Sequence, residues 1–494
     1  MLRAEVNIGD DEEELEEIEG LGPRKNLNIL GPMDRFASSI NPSSSISGKN
    51  MQQRTLNDII LKERTRATQK YVAKWVYQAG ISFNAIDNDS FLQMVEAIGR
   101  FGPSFKPPSQ YQLREPFLKE DFESTKEALK KQEESWKIDG CTIMTDAWTD
   151  RKRRSIMNLC VNCKEGTTFL SSKESSDVAH TGEHIFNYVL ATIEEVGPEN
   201  VVQVVTDNAS NNMAVAKMLK EKMPSIFWTS CATHTINIML EGIGKLPRFK
   251  KTLDSAKSLT IFIYAHHTTL ALMRTFTRKR DIVRPGVTRF ASAFLTLQSI
   301  LEKKDRLRAM FTSSDWDKCK WSKSVKGKAA YSTVLSTVFW NGVNYCLRVF
   351  APLVRVLRLV DGDQKPSMGF LYGELKRAKE DIREALENVE SNCQPIFEII
   401  DVKSKGRLDS PLHLAAYVLN PYYFFKGPTS SIYTNEVSDG FCEFVEILYP
   451  DDLEKQNLLV NIEFGKYLDK EGSFRRPLAM KGCEKNDEFY NPGT

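Results

Sequence analysis

Two aspartates carry the first chemical signal in this chain. Ile143-Met-Thr-Asp146-Ala-Trp148-Thr-Asp150 and Val204-Val-Thr-Asp207-Asn-Ala-Ser-Asn-Asn212 each set an acid where an apolar, strand-like run gives way to a turn. A carboxylate at the end of a buried strand is costly unless its charge is offset, and a shared divalent metal is one way to offset two of them. Paired acids on neighbouring strands would suit phosphoryl transfer of the two-metal kind, in which ions roughly 4 Å apart hold the attacking and leaving oxygens. Each acid alone also has a plainer reading, as the cap of the turn or helix that follows. Cys231-x-x-His234 has a spacing that chelates zinc, yet one pair supplies only two of four ligands. Cys160 and Cys163 lie in a predicted strand, where positions i and i+3 face opposite sides, so they do not complete the set and zinc is the weaker reading.

The elements that must position these residues follow from composition and period. At 494 residues the chain exceeds what one core usually spans, so two or three folded units are expected. Apolar residues are 41% and charged residues 27%, as in ordinary soluble globular proteins, and a net charge of +2 leaves any nucleic-acid contact to a local patch. Nine scattered cysteines and a first segment without an apolar signal core argue against secretion by the usual route. No apolar run reaches the roughly 18 to 20 residues of a membrane helix, so a membrane is not an expected partner.

Residues 1–54 read as a disordered acidic and Ser-rich tail, with Asp10 to Glu19 almost wholly acidic. Residues 55–134 have helical period and form a small helical domain, in which Lys62, Arg64, Arg66, Lys70 and Lys74 suit phosphate contact or plain solvation. From 135 to 246 the period changes. Strands are predicted at 141–145, 155–161, 167–170, 201–205 and 226–228, with helices at 184–196, 211–223 and 234–243. A three-stranded meander leading into a β-α-β-α unit is the order of the ribonuclease H-like fold, in which the first and fourth strands lie side by side and bring Asp146 and Asp207 together. Residues 247–410 read as a long helical insertion, and 411–494 as a return to the core with C-terminal helices. The fold class is thus α/β, a ribonuclease H-like mixed sheet interrupted by an α-helical insertion. Within the insertion, Arg274, Arg278, Lys279, Arg280 and Arg289 suit phosphate contact, and Phe290 offers either a face for an unpaired base or a core contact. The stretch from Leu371 to Glu390, with its mixed charge, reads as an exposed insertion helix.

Several blocks in order resemble hAT-type transposases: Thr145-Asp-Ala-Trp-Thr-Asp150, Val205-Thr-Asp-Asn-Ala-Ser-Asn211, Ser230-Cys-Ala-Thr-His-Thr-Ile-Asn237 and Pro285-Gly-Val-Thr-Arg-Phe290. Arg100 to Pro108 and Leu412 to Pro421 extend the likeness to roughly 90–480, towards the plant branch that carries a domain of unknown function over the first half of the catalytic core. The resemblance implies a DDE triad with Mg²⁺, in which Asp146 matches the first acid and Asp207 the second, and it marks Trp148, Cys231 and His234 as family-motif positions, with His234 at a helix start near the acids. Mg²⁺ is implied only where the acid site is intact.

The family's third acid, in a Ser-rich segment ending in a Glu-Arg pair, has no counterpart here, and Glu443, Glu446 and Glu463 lack its setting. The same segment carries the family's dimerisation hallmark, so a monomer or weak oligomer is expected. No BED zinc finger precedes the core. These points imply a transposase-derived nuclear protein, catalytically inactive, that binds DNA or chromatin partners through its core and basic insertion. Arg151 to Arg154 and Arg278 to Arg280 are short basic clusters in keeping with the nucleus, although the first suits a hairpin turn equally well. The alternatives are an active Mg²⁺-dependent DDE-type transposase or nuclease with an unrecognised third acid, and a non-functional element fragment.

Overall fold

The computed structural model describes residues 56–176, 181–284, 286, 290–362, 367–424 and 433–477, and the chain divides into two compact units after Pro108. The tail expected over 1–54 lies outside the described residues.

In the first unit, α1 (Leu56–Ala79) and α2 (Asp89–Phe101) flank a short 3-10 turn, Phe83–Asp87. The Asn88 side chain caps α2 by accepting from Ser90 N–H, and Gly102, at φ 86°, ends it with its N–H on the Ile98 carbonyl. Val76 of α1 is buried, whereas α2 buries none of its residues.

The second unit begins with α3 (Gln110–Arg114), held by a capping box between Ser109 and Gln112, and α4 (Pro116–Asp139). The last turn of α4 buries Trp136, and Gln132 accepts a hydrogen bond from Thr168. This end of the expected helical domain therefore packs on the sheet. Gly140 turns α4 into β1 at φ 75°, and a Cβ there would lie 2.6 Å from Val202 Cγ2, so a side chain would both strain the backbone and push β4 away.

Five strands follow: β1 (Cys141–Thr149), β2 (Ser155–Cys163), β3 (Gly166–Glu174), β4 (Val201–Thr206) and β5 (Phe227–Ser230). They form one mixed sheet in the order β3-β2-β1-β4-β5, antiparallel across β3, β2 and β1 and parallel from β1 through β4 to β5. The expected adjacency of the first and fourth strands is present. Helices α5 (Gly182–Val196) and α6 (Ser210–Lys222) make the crossovers, and Val189, Ile193, Val215 and Leu219 bury against Ile143, Leu159, Val161 and Val204.

After β5 come α7 (Ala232–Lys245), α8 (Pro247–Ala265), α9 (His267–Thr277) and α10 (Ala291–Glu302), with further helices running to Ser404. They share a second core that includes Phe311, Trp340, Phe350 and Leu353. By position α7 belongs to the α/β segment, yet Ile236, Met239, Leu240 and Ile243 join the insertion core, against the helices Thr337–Val360 and Glu390–Ser404. The helix Met368–Ala385 is not the exposed element that its mixed charge suggests: Leu371, Leu375, Ala378 and Ile382, spaced at helical period, bury one face. A third cluster gathers Leu414, Val418 and Phe424 with Phe441 and Val445 of the helix Asn435–Leu448, and Phe444 of that helix stacks on Phe227 of β5, with centroids 5.4 Å apart. No helix of the described residues is long and apolar enough to cross a membrane.

Candidate functional site

β1 and β4 run parallel with Ile143 opposite Val204 and Met144 opposite Val205. Asp146 and Asp207 each lie two residues further along. Both acids thus lie at the same end of two adjacent strands, Asp146 within β1 and Asp207 just past the end of β4, where the strand period would give them the same face. That face is the one on which Thr142 bonds Gln203 at 3.1 Å and Gln203 bonds Thr229 of β5 at 2.5 Å, a polar row leading up to the acids. Asp146 and Trp148 are exposed, and Asp207 is half-buried.

The plainer reading of Asp207 holds alongside the chemical one. Its Oδ1 accepts from Ala209 N–H at 2.7 Å and from Asn212 Nδ2 at 2.6 Å, which fixes the turn into α6, a helix with no side-chain cap at Ala209. Asp150 is a turn-former as well. It accepts from Lys152 N–H and Arg154 N–H, each at 2.8 Å, and pairs with the Arg154 guanidinium, so Arg151 to Arg154 is the tip of the β1–β2 hairpin. The backbone bond from Arg154 leads the contacts that hold the Asp150 carboxyl below the usual range, and Arg153 takes φ 62° there.

The start of α7 is bonded to the acid end. Cys231 N–H donates to the Thr206 carbonyl at 2.7 Å, and Asn208 Nδ2 donates at 3.0 Å to Thr235 Oγ1, whose hydroxyl bonds the Cys231 carbonyl at 2.9 Å. This places His234 within electrostatic reach of both aspartates. Its imidazole holds a proton to higher pH than usual, first through its hydrogen bond with Cys231, against partial burial, then through the charge of Cys231 and of Asp146 and Asp207. Burial pushes the Cys231 thiol up, but the bonds from the His234 side chain and from the His234 and Thr233 backbone outweigh it and bring the thiol below its usual value. Both shifts follow from the contact between Cys231 and His234, with the imidazole within electrostatic reach of the acids.

A two-metal centre asks for more carboxylate than this. Among the described residues no group of three or more His, Cys, Asp or Glu side chains is placed to hold a metal ion. One oxygen of Asp207 already accepts two hydrogen bonds, from Ala209 N–H and Asn212 Nδ2. Among the described residues the carboxylates at this end are Asp146 and Asp207. Of the three substitute acids, Glu463 pairs with Lys466 at 2.9 Å, and Glu443 and Glu446 are exposed on the helix Asn435–Leu448. Phe444, next to Glu443, stacks on Phe227, which pairs with Gln203, four residues short of Asp207 and so roughly 13 Å down the strand.

The basic residues of the insertion do not gather at the acids. Arg274 makes a bidentate ion pair with Asp281 at 2.9 and 2.7 Å, an internal partner that sequence reading missed seven positions away. Arg278 and Lys279 follow α9 with φ 55° and 61°, and both are exposed, as is Arg280. Arg289 lies outside the described residues. Phe290 packs edge-on to Phe350, with centroids 5.2 Å apart, and closes on Gly244, where a Cβ would fall 2.5 Å from its ring. Its ring is occupied by core contacts. Two buried polar atoms near the acid end, Asn212 Oδ1 and Ser230 Oγ, have no hydrogen-bond partner, and no spacing signal marked either residue.

No curated protein matches the chain. Residues 108–259, which include Asp146, Trp148, Asp207, Cys231 and His234 but not the basic segment from Arg274, match the model of DUF659, a domain of unknown function, so over this stretch the chain is similar to a family typical of plant hAT-like transposases.

Proposed function

We propose that this chain is a transposase-derived nuclear protein without strand-transfer activity of its own, which binds DNA or chromatin partners through a ribonuclease H-like core and the basic insertion. The observation that carries the reading is the pair Asp146 and Asp207 at the same end of adjacent strands, within electrostatic reach of His234 and with no third acid grouped with them among the described residues. The strand order β3-β2-β1-β4-β5 and the location of the acids inside the DUF659 match support the transposase origin. The two carboxylates serve structure and electrostatics: Asp207 fixes the turn into α6, and both acids stabilise the charged form of His234. The exposed cations Arg278, Lys279 and Arg280 and the hairpin tip at Arg151 to Arg153 are available for phosphate contact.

The test is calorimetric titration of the full chain with Mg²⁺ and Mn²⁺, beside an Asp146→Asn/Asp207→Asn double mutant, with plasmid nicking and duplex-DNA gel shift on the same samples. The expected result is no acid-dependent metal uptake, no nicking, and DNA retention that the double mutant keeps. Metal uptake and nicking that vanish together in the mutant would overturn the reading in favour of a working nuclease.

A further inference from the structure

The first unit leaves an apolar groove open. Val72 and Val76 of α1 and Phe83, Ile86, Phe91 and Val95 line a hollow of about 870 Å³, and Phe83, Ile86 and Val95 are each more than 40% exposed. Single exposed apolar residues are common, but a contiguous row along two helices is the mark of a surface that receives a partner. The α1 side of it is mainly basic, with Lys62, Arg64, Arg66, Lys70 and Lys74 against Asp58 and Glu63, while Asp87, Asp89 and Glu96 lie on the other side. Arg64 lines the groove, and on the 100° helical step Lys62 and Arg66 fall on the same arc as the lining residues Ala73 and Tyr77.

We propose that this groove receives the chain's own acidic segment, Asp10–Glu19, whose Leu15 and Ile18 enter the apolar hollow while its carboxylates meet the α1 cations. That segment holds eight carboxylates in ten residues, interrupted only by Leu15 and Ile18, the i and i+3 spacing of one helix face. A second copy of the unit is a poorer occupant because it would bring another basic α1 against this one. Reach is ample: residues 20–55 span up to roughly 120 Å when extended, against about 36 Å for the length of α1. Covalent attachment also raises the local concentration of the segment to the order of millimolar, so a weak contact suffices.

Zero-length carbodiimide coupling on a mixture of isotopically heavy and light full-length chains tests this directly. Amide links are expected from carboxylates of residues 10–19 to Lys62 and Lys70, within one chain. In the full chain with Leu15→Asp and Ile18→Asp, yield should fall about tenfold or more, because two apolar anchors are lost although negative charge is gained. Both substitutions lie outside α1 and α2, so the groove itself is unaltered. An unchanged or increased yield would reduce the contact to a charge encounter, and heavy-to-light links would assign the groove to a second copy. Links spread evenly over lysines of the insertion would remove it altogether. Each of these three results overturns the proposal.

Discussion

At the acid end of the sheet and in the C-terminal helical cluster, the same side chain is shifted in opposite directions. His234 is exposed at the start of α7 and faces Asp146, Asp207 and the Cys231 sulfur, which favour its cation. His413, 1% exposed on the helix Pro411–Val418, is cut off from water, and burial brings its pKa down to about 4. Its Nδ1 is 2.7 Å from Ser410 Oγ, so the neutral ring has a polar partner but no counter-charge. The difference teaches what each region is built for. One surrounds an imidazole with charge and leaves it open to solvent; the other uses it as a neutral, buried ring bonded to Ser410.

The largest test of that contrast is acid unfolding. Below pH 6.5 the unfolded chain takes up a proton at His413 that the folded chain refuses until about pH 4, so stability falls as pH falls through that window. The loss should reach about 3 kcal/mol at the acid end, read by urea denaturation at stepped pH. His413→Gln should flatten this limb while other groups keep theirs. An unchanged limb would mean that the ring is not held neutral.

A smaller effect tests whether the acid end depends on the neighbouring insertion core. Gly244→Ala would put a methyl against the Phe290 ring and should cost about 1–3 kcal/mol by overpacking. If α7 transmits the strain, the amide signals of Cys231 and His234 should shift in the folded variant. If they stay fixed, the two regions are independent.

The smallest change in stability accompanies the clearest change in reactivity. The raised His234 value adds stability that is complete below pH 6.5 and is lost as pH rises through the folded value. The lowered Cys231 value adds stability above the ordinary thiol value that is lost as pH falls through the folded one. Both shifts arise from the same contact between the Cys231 sulfur and the His234 imidazole. His234→Ala should therefore move the inflection of Cys231 alkylation by iodoacetamide to higher pH and slow the reaction at neutral pH. An inflection that does not move would show that the backbone N–H groups alone hold the thiolate.

Much of this arrangement was legible from local pattern. The period change near residue 140 located the sheet, and the position of the two acids at strand ends was enough to place them side by side once strands one and four were adjacent. The pairings that span distance were not. Nothing local ties Asn208 to Thr235, Phe290 to Gly244, or α7 to helices a hundred residues on, because such contacts are chosen by packing and leave no period behind. Arg274 shows the limit from the other side: its charge was plain, but its partner Asp281 was hidden by a turn in the left-handed region at Arg278 and Lys279.

The double allegiance of α7 sets a schedule for biosynthesis. Its first turn holds His234 at the acids, yet its apolar stripe packs on the helices Thr337–Val360 and Glu390–Ser404, which leave the ribosome later. At 5–20 residues per second, the ribosome needs roughly 8 to 30 s after α7 to supply the last of these partners. For that interval Ile236, Met239, Leu240 and Ile243 have only part of their cover, and the nascent chain presents an oily stripe to whatever meets it. A slow codon run or a chaperone acting in that window would govern the yield of the whole second unit.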